Sequence, residues 1–319
     1  MQHNCTRYLI FFQYLGTKYS GVMKIPAHQP VEGVQNHIEN AVRRLKPLNE
    51  VSLYISSRTD TGVHALCNSA HLDIQRKDDK PPFTGKVLTD ALNLYLKKEP
   101  ISTMNPDNVI LEYGRAIREE KSIDGITRIT RAYRVSNEFH ARHSAISRTY
   151  VYRLATGLSS YSDMPITEKD LCWALRDTKL DISAMEEASA VLTGTHDFST
   201  FQARGSDPKN PVKTMERVQV QPGLSFSQCH FNRDIEYWEL SFKCRSYLYK
   251  QVRRMTGALV AVGQGKLSVR QMQKLLDARD SLAYPQNMCA PACGLYLTKV
   301  EYNDSDLLSY TPDDTDIRS

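Results

Sequence analysis

The stretch VSLYISSRTDTGVHALCNSAHLDI, residues 51–74, decides how the chain reads. Its two flanks, 51–57 and 65–74, are apolar and rich in Val, Ile, Leu and Tyr, as strands are. Between them lies a short polar loop, Ser57-Arg58-Thr59-Asp60-Thr61-Gly62-Val63-His64. A polar loop gripped by two apolar strands is held rigidly, and function concentrates on loops of that kind. Arg58 and Asp60 stand two apart, and an Arg beside a carboxylate favours its charged form. An ionised, oriented Asp serves as nucleophile or base. The same spacing also suits an Asp that merely satisfies its own turn.

Working outward, residues 7–14 (RYLIFFQY) read as a buried strand. Val34, Ile38, Ala41, Val42 and Leu45 recur at helical spacing until Pro47. Arg43, Arg44 and Lys46 in the last turn of that helix suit its C-terminal dipole or a phosphate. Residues 87–96 read as a helix, and 109–116, 128–135 and 148–154 as strands. A polar loop lies at 118–127. The run at 157–165 is rich in Gly, Ser and Pro and divides the chain. Beyond it come helices at 182–192, 247–262 and 269–276, and strands at 215–220, 235–243 and 295–302. This makes an α+β chain of two similar halves, 1–156 and 157–303. Each half is a mainly antiparallel sheet flanked by helices, and an acidic polar tail covers 304–319.

Composition narrows the function classes. The chain has 319 residues, 41 % hydrophobic and 24 % charged, enough for a real core. A net charge of +5 permits a nucleic-acid partner without demanding one. No apolar run approaches the roughly 18 residues that span a bilayer. The polar start shows neither a secretory signal nor an Arg/Ser-rich transit peptide. The seven cysteines are scattered, with no CxxC pair, which suits reduced thiols inside a cell. Cytoplasm, nucleus and mitochondrion all remain open. Cys289 and Cys293 lack a second ligand pair, so no zinc site is expected. Walker, GxGxxG, HExxH and GxSxG signatures are missing, so neither a nucleotide cofactor nor a catalytic metal is expected.

Two further constellations carry chemistry. In FHARHSAISRTYVY, residues 139–152, Arg142, His143 and Arg148 are phosphate donors, and Tyr150 and Tyr152 share one face of a strand. An aromatic beside cations holds an unstacked base; two core tyrosines would show the same spacing. In KCRSYLYKQVRRM, residues 243–255, basic and aromatic side chains including Lys250 and Arg253 gather at a strand end and a helix start. A solvated basic face fits equally, since Leu248, Val252, Met255 and Leu259 already supply a buried stripe.

Seven blocks, in order, resemble the TruA-type tRNA pseudouridine synthases, most of all their animal synthase-like branch. YLGTKYSG (14–21) is similar to the family's YDGTxFxG, and VQ at 34–35 with IE at 38–39 to its VQxxLE. SRTDTGVHA (57–65) is similar to GRTDAGVHA, residues 139–152 to FHARxSAxxRxYxY, and LTGTHDF (192–198) to LxGxHDF. VRRMTG (252–257) and APACGLYL (290–297) resemble its closing motifs. Leu15 replaces the usual Asp, Ser57 the usual Gly, and the 118–127 loop is longer than the compact form.

The resemblance implies a pseudouridine synthase fold with a central cleft, and cofactor-free isomerisation of uridine in the anticodon arm of tRNA, around positions 38–40, by a homodimer. It makes Asp60 the catalytic carboxylate. It has Tyr150 stack on the flipped base and assist loss of the C5 proton. Arg58 prises out the nucleotide, and Arg253 lies close to Asp60. Arg142, His143, Arg148 and Lys250 are expected as RNA contacts. A silent RNA-binding module of the same fold is the alternative. A sugar hydrolase would need a second acid near Asp60, and the sequence offers none.

Overall fold

A computed structural model of the chain describes residues 5–26, 28–77, 80–97, 127–205, 209–225 and 234–308. Ten strands run β1 Cys5–Tyr14, β2 Tyr54–Ile55, β3 His64–Gln75, β4 Thr127–Arg134, β5 Ser147–Leu158, β6 Trp173–Arg176, β7 Gly194–Asp197, β8 Val212–Pro222, β9 Glu236–Cys244 and β10 Leu295–Glu301. The helices are α1 Val34–Arg43, α2 Gly85–Leu96, α3 Ile182–Leu192, α4 Gln251–Gly263, α5 Val269–Ala278 and the short α6 Asp304–Leu308.

All ten strands join one sheet in the order β4-β1-β3-β10-β5-β9-β8-β7, with β2 on β3 and β6 on β5. Its pairs are antiparallel except β3 with β10 and β5 with β6. The class is α+β, and the two halves repeat one pattern. In each, the first strand lies between the last strand and an inner one: β4-β1-β3 in the first half, β10-β5-β9 in the second. Each is a β-α-β-β-α-β unit, the second carrying β6, β7 and α5 in addition. β5 runs unbroken through residues 156 and 157 and pairs with both β9 and β10.

The core explains the order. Tyr8 to Phe12 in β1 are each at most 2 % exposed, so both faces of that strand are covered. Truncating Phe12 to Ala would cost about 3–5 kcal/mol. α2 is capped by Thr84 Oγ1, which accepts from Val87 N at 3.3 Å. It buries Leu88 and Leu92.

Several elements differ from the sequence reading. The strand expected at 51–57 pairs only at Tyr54 and Ile55. The backbone of Leu53 is taken by α1 instead: Leu53 O accepts from Gln35 Nε2 at 3.0 Å, and Leu53 N donates to Glu39 Oε1 at 3.3 Å. The helix expected from 247 starts at Gln251. Lys250 sits at φ 55°, and Leu248 N donates to Gln251 Oε1 at 2.8 Å, which fixes the turn leading into the helix. The tail begins with a helical turn, α6, whose Asp304 and Asp306 suit its N-terminus and whose Leu307 packs on the core. The four-residue strands β6 and β7 went unread. Of the basic last turn of α1, Arg43 bonds Glu39 at 3.0 Å and Arg44 lies over the Tyr95 ring at 4.7 Å. The strand expected at 109–116 and the loop at 118–127 lie outside the described residues, except that Thr127 opens β4.

Candidate active site

The loop between β2 and β3 is built from its neighbours inward. Val63 N donates to Asp60 O at 3.1 Å, closing a turn that Gly62 completes at φ +77°. Gly21, at φ +91°, lets another strand-end loop lie flat against it: a Cβ there would sit 2.7 Å from Thr59 O. Tyr14 OH bonds Thr59 Oγ1 at 2.7 Å, and Asn68 Nδ2 donates to Ser57 O at 3.0 Å. His64 accepts from Gly16 N at Nδ1 (3.1 Å) and contacts Cys293 O through Nε2 at 3.0 Å, so Nε2 carries its proton. Burial holds that imidazole below its ordinary pKa. The loop's backbone and flanks are thus fixed before any substrate arrives.

Asp60 emerges from this frame with its side chain 25 % exposed. The cation beside it is Arg253 from α4, 193 residues away, rather than Arg58. Arg253 Nη1 donates to Asp60 Oδ2 at 3.1 Å, while its Nε donates to Ala290 O at 2.8 Å. Among the described residues, Oδ1 has no hydrogen-bond donor. Arg58 is exposed on the cleft without a hydrogen-bond or ion-pair partner among those residues. Tyr150, on β5, is 7 % exposed and packs edge-on against Tyr247 with ring centroids 5.1 Å apart. Burial first, then the nearby Tyr14 and Asp60, push its phenol well above the usual range. It stays protonated at neutral pH and offers a ring face and a hydroxyl. Tyr152 lies deeper, its OH donating to Pro291 O at 2.7 Å.

These residues line a cleft of about 670 Å³, within the range of ligand sites. Seven Arg and Lys side chains border it, and Asp60 is the only carboxylate among the described lining residues. Arg142 and His143 are exposed at its edge. Lys250 lies over the Tyr249 ring at 5.1 Å. Arg148 also borders the cleft but is 6 % exposed, and all three of its guanidinium nitrogens bond protein oxygens. Lys209 and Arg245 complete the rim, and neither stood out as a site residue in the sequence. Arg245 had a signal in the basic run at 243–255; Lys209, in a loop, had none. Among the described residues, no group of three or more His, Cys, Asp or Glu side chains is placed to hold a metal ion. The six described cysteines are free thiols, and no described helix is long and apolar enough to cross a membrane.

A carboxylate alone among cations, beside a buried tyrosine, suits an anionic substrate that carries a planar base. Comparison with known proteins agrees. The family model described as tRNA pseudouridine synthase matches residues 10–113 and 188–303. The chain is 44 % identical to tRNA pseudouridine synthase-like 1 of Xenopus laevis over 318 residues, covering 99 % of this chain and 97 % of that one. It is 44 % identical to the Homo sapiens protein of the same name over 307 residues, covering 96 % and 93 %. It is 35 % identical to tRNA pseudouridine synthase A of Maricaulis maris over 300 residues, covering 93 % and 98 %. The chain belongs to the tRNA pseudouridine synthase family.

Proposed function

We propose that this chain isomerises uridine to pseudouridine in the anticodon arm of tRNA, around positions 38–40, with Asp60 as the catalytic carboxylate. The observation that carries the reading is the lone Asp60, bonded to Arg253, in a cleft lined by seven cations. Extruding a base costs a few kcal/mol. The phosphates gripped by the rim cations and a ring to stack on, Tyr150, offset that cost. Arg58, exposed beside Asp60, is the side chain that enters the space the nucleotide vacates. Arg142, His143 and Lys250 meet the RNA backbone.

The chemistry balances without a cofactor. Asp60 either attacks C1′ of the ribose or removes its 2′ proton to leave a glycal. Either way the C1′–N1 bond breaks, and its electron pair leaves on uracil. The cations around the cleft stabilise that anion. The base turns over, C5 bonds to C1′, and the carboxylate is released or the 2′ proton returned. C5 then loses its proton and N1 gains one, with the Tyr150 hydroxyl assisting. A homodimer would widen the basic surface presented to tRNA.

Pseudouridine mapping of unmodified tRNA tests the reading. Wild type should give a new signal in the anticodon arm. Asp60→Asn should give none while still binding tRNA, a loss of at least about 10³-fold. Pseudouridine formed by Asp60→Asn at the wild-type rate would remove Asp60 from the mechanism. Binding without turnover by wild type on every tRNA would point to a silent RNA-binding module.

A further inference from the structure

Behind the rim of the cleft lies a buried cation with no carboxylate partner among the described residues. Arg148 Nε donates to Ser57 Oγ at 3.0 Å, Nη2 to Arg142 O at 2.9 Å and to both oxygens of Ser56 at 3.3 Å, and Nη1 to Arg245 O. Tyr247 OH donates in turn to the carbonyl of Arg148 at 3.1 Å, pinning the strand that carries it. The residues it bonds are not scattered. Ser57 directly precedes Arg58, and the other two partners are the backbones of Arg142 and Arg245. Arg58, Arg142 and Arg245 are all exposed and all line the cleft. None of these three side chains has a hydrogen-bond or ion-pair partner among the described residues.

Three unpaired like charges around one opening raise each other's energy. Among the described residues no side-chain bond holds them, so their spacing is set through their backbones. A single planar guanidinium reaches all three segments at once: the loop between β2 and β3, the loop between β4 and β5, and the turn after β9. A lysine, with a point charge and no fork, does not span them.

We propose that Arg142 and Arg245 form a two-point grip on the phosphodiester backbone beside the nucleotide that Arg58 displaces, with Arg148 as the positioning residue that fixes the spacing of all three. The proposal deepens the RNA-modifying reading above and rests on it. The three rim arginines touch the ligand; Arg148 touches only protein.

Salt dependence of tRNA binding tests both parts. Each phosphate contact contributes about 0.7–0.9 to the slope of log K against log salt concentration. Arg142→Gln and Arg245→Gln, both at exposed positions, should each flatten the slope by about that amount. Arg148→Lys keeps the charge and loses the fork. It should flatten the slope by more than one such contact, with a wild-type circular dichroism spectrum at the assay temperature. Added to the Arg142→Gln, Arg245→Gln double variant, it should flatten the slope little further, because the grip it organises is already gone.

Unchanged slopes in Arg142→Gln and Arg245→Gln would overturn the grip, whether or not Arg148→Lys folds. An unchanged slope in Arg148→Lys, or a fully additive loss in the triple variant, would overturn the positioning role. Turnover is read separately on the same proteins. Slopes that behave as stated without pseudouridine formation would sink the activity alone, and pseudouridine formation with slopes that do not move would sink this proposal alone.

Discussion

Two arginine–carboxylate pairs flank β5, and they are finished to different degrees. Arg153 and Glu168 meet at 2.8 Å, with the Glu168 side chain 8 % exposed. Glu168 Oε1 also accepts from Ser225 Oγ at 2.6 Å, and Arg153 Nη2 reaches Leu224 O at 3.3 Å. Both carboxylate oxygens are used, and the pair ties β5 to two surrounding loops. Asp60 and Arg253 meet through one oxygen at 3.1 Å, and the other oxygen has no described donor. Arg153 lies three residues from Tyr150, and the ladder from 148 to 156 has no register shift, so the two side chains occupy opposite faces of the strand. The same residue types thus do two jobs. A pair with every acceptor filled holds the fold, and a pair with a lone pair to spare is free to meet a reactant.

The largest test of this contrast is Arg253→Gln. Turnover should fall by on the order of 10²–10³-fold, while the melting temperature moves by only a few degrees. A fall of about 10 °C or more would make the cleft pair structural after all. Glu168→Gln should do the reverse. It leaves a mostly buried guanidinium short of its counter-charge, at about 2 kcal/mol after allowing for the partial exposure of Arg153. That lowers the melting temperature by roughly 4–8 °C, with turnover at 25 °C within about two-fold of wild type. A large loss of turnover without destabilisation would erase the distinction.

The smallest effect is the acid response of the scaffold itself. His71 stacks on Tyr54 at 4.7 Å and accepts from Ala141 N at 3.1 Å through Nδ1. Burial, with smaller contributions from Arg7 and His140 and against the pull of Asp73, holds its imidazole down at about 4. Its folded value lies below the unfolded value of about 6.5. The neutral ring therefore contributes stability in full above about pH 6.5, lost as the pH falls through 4. A thermal melt series should show a decline over that window, smaller in His71→Asn, which keeps an acceptor without titrating. An identical decline in the variant would place the acid sensitivity elsewhere. Subtracting it sharpens any pH profile of turnover.

Much of this was legible in the sequence, for identifiable reasons. The helices announced themselves because Val34, Ile38 and Val42, or Val252, Met255 and Leu259, recur with the period of a buried helical stripe, which Leu248 continues past the true helix start at Gln251. The strand at 51–57 was shortened by side chains of α1, a tertiary effect no local pattern carries. The loop holding Asp60 stood out because two apolar runs grip it. Its ionic partner did not, since spacing favours the nearby Arg58 over a residue 193 positions on; only the family resemblance brought Arg253 beside it. Arg148 sits in a run of His, Arg and Ser that looks like a wet basic surface, so its burial was invisible until the backbone carbonyls around it had positions.

The parallel junction between the two halves of the sheet also governs when the molecule becomes competent during its synthesis. β3 and β10 pair only through His64 with Tyr296 and Ala65 with Leu297, and His64 opens the strand that follows the Asp60 loop. The partner strand is synthesised about 230 residues later, Tyr296 against His64. A nascent chain of about 250 residues therefore holds β1 to β4 but lacks both Arg253 and β10, and the start of β3 has no neighbour on that side. The loop closed by this junction is long, which slows its formation more than it weakens the finished fold. A product that stops before Arg253 therefore lacks both the Asp60–Arg253 pair and the junction, and the cleft is complete only once β10 has been made.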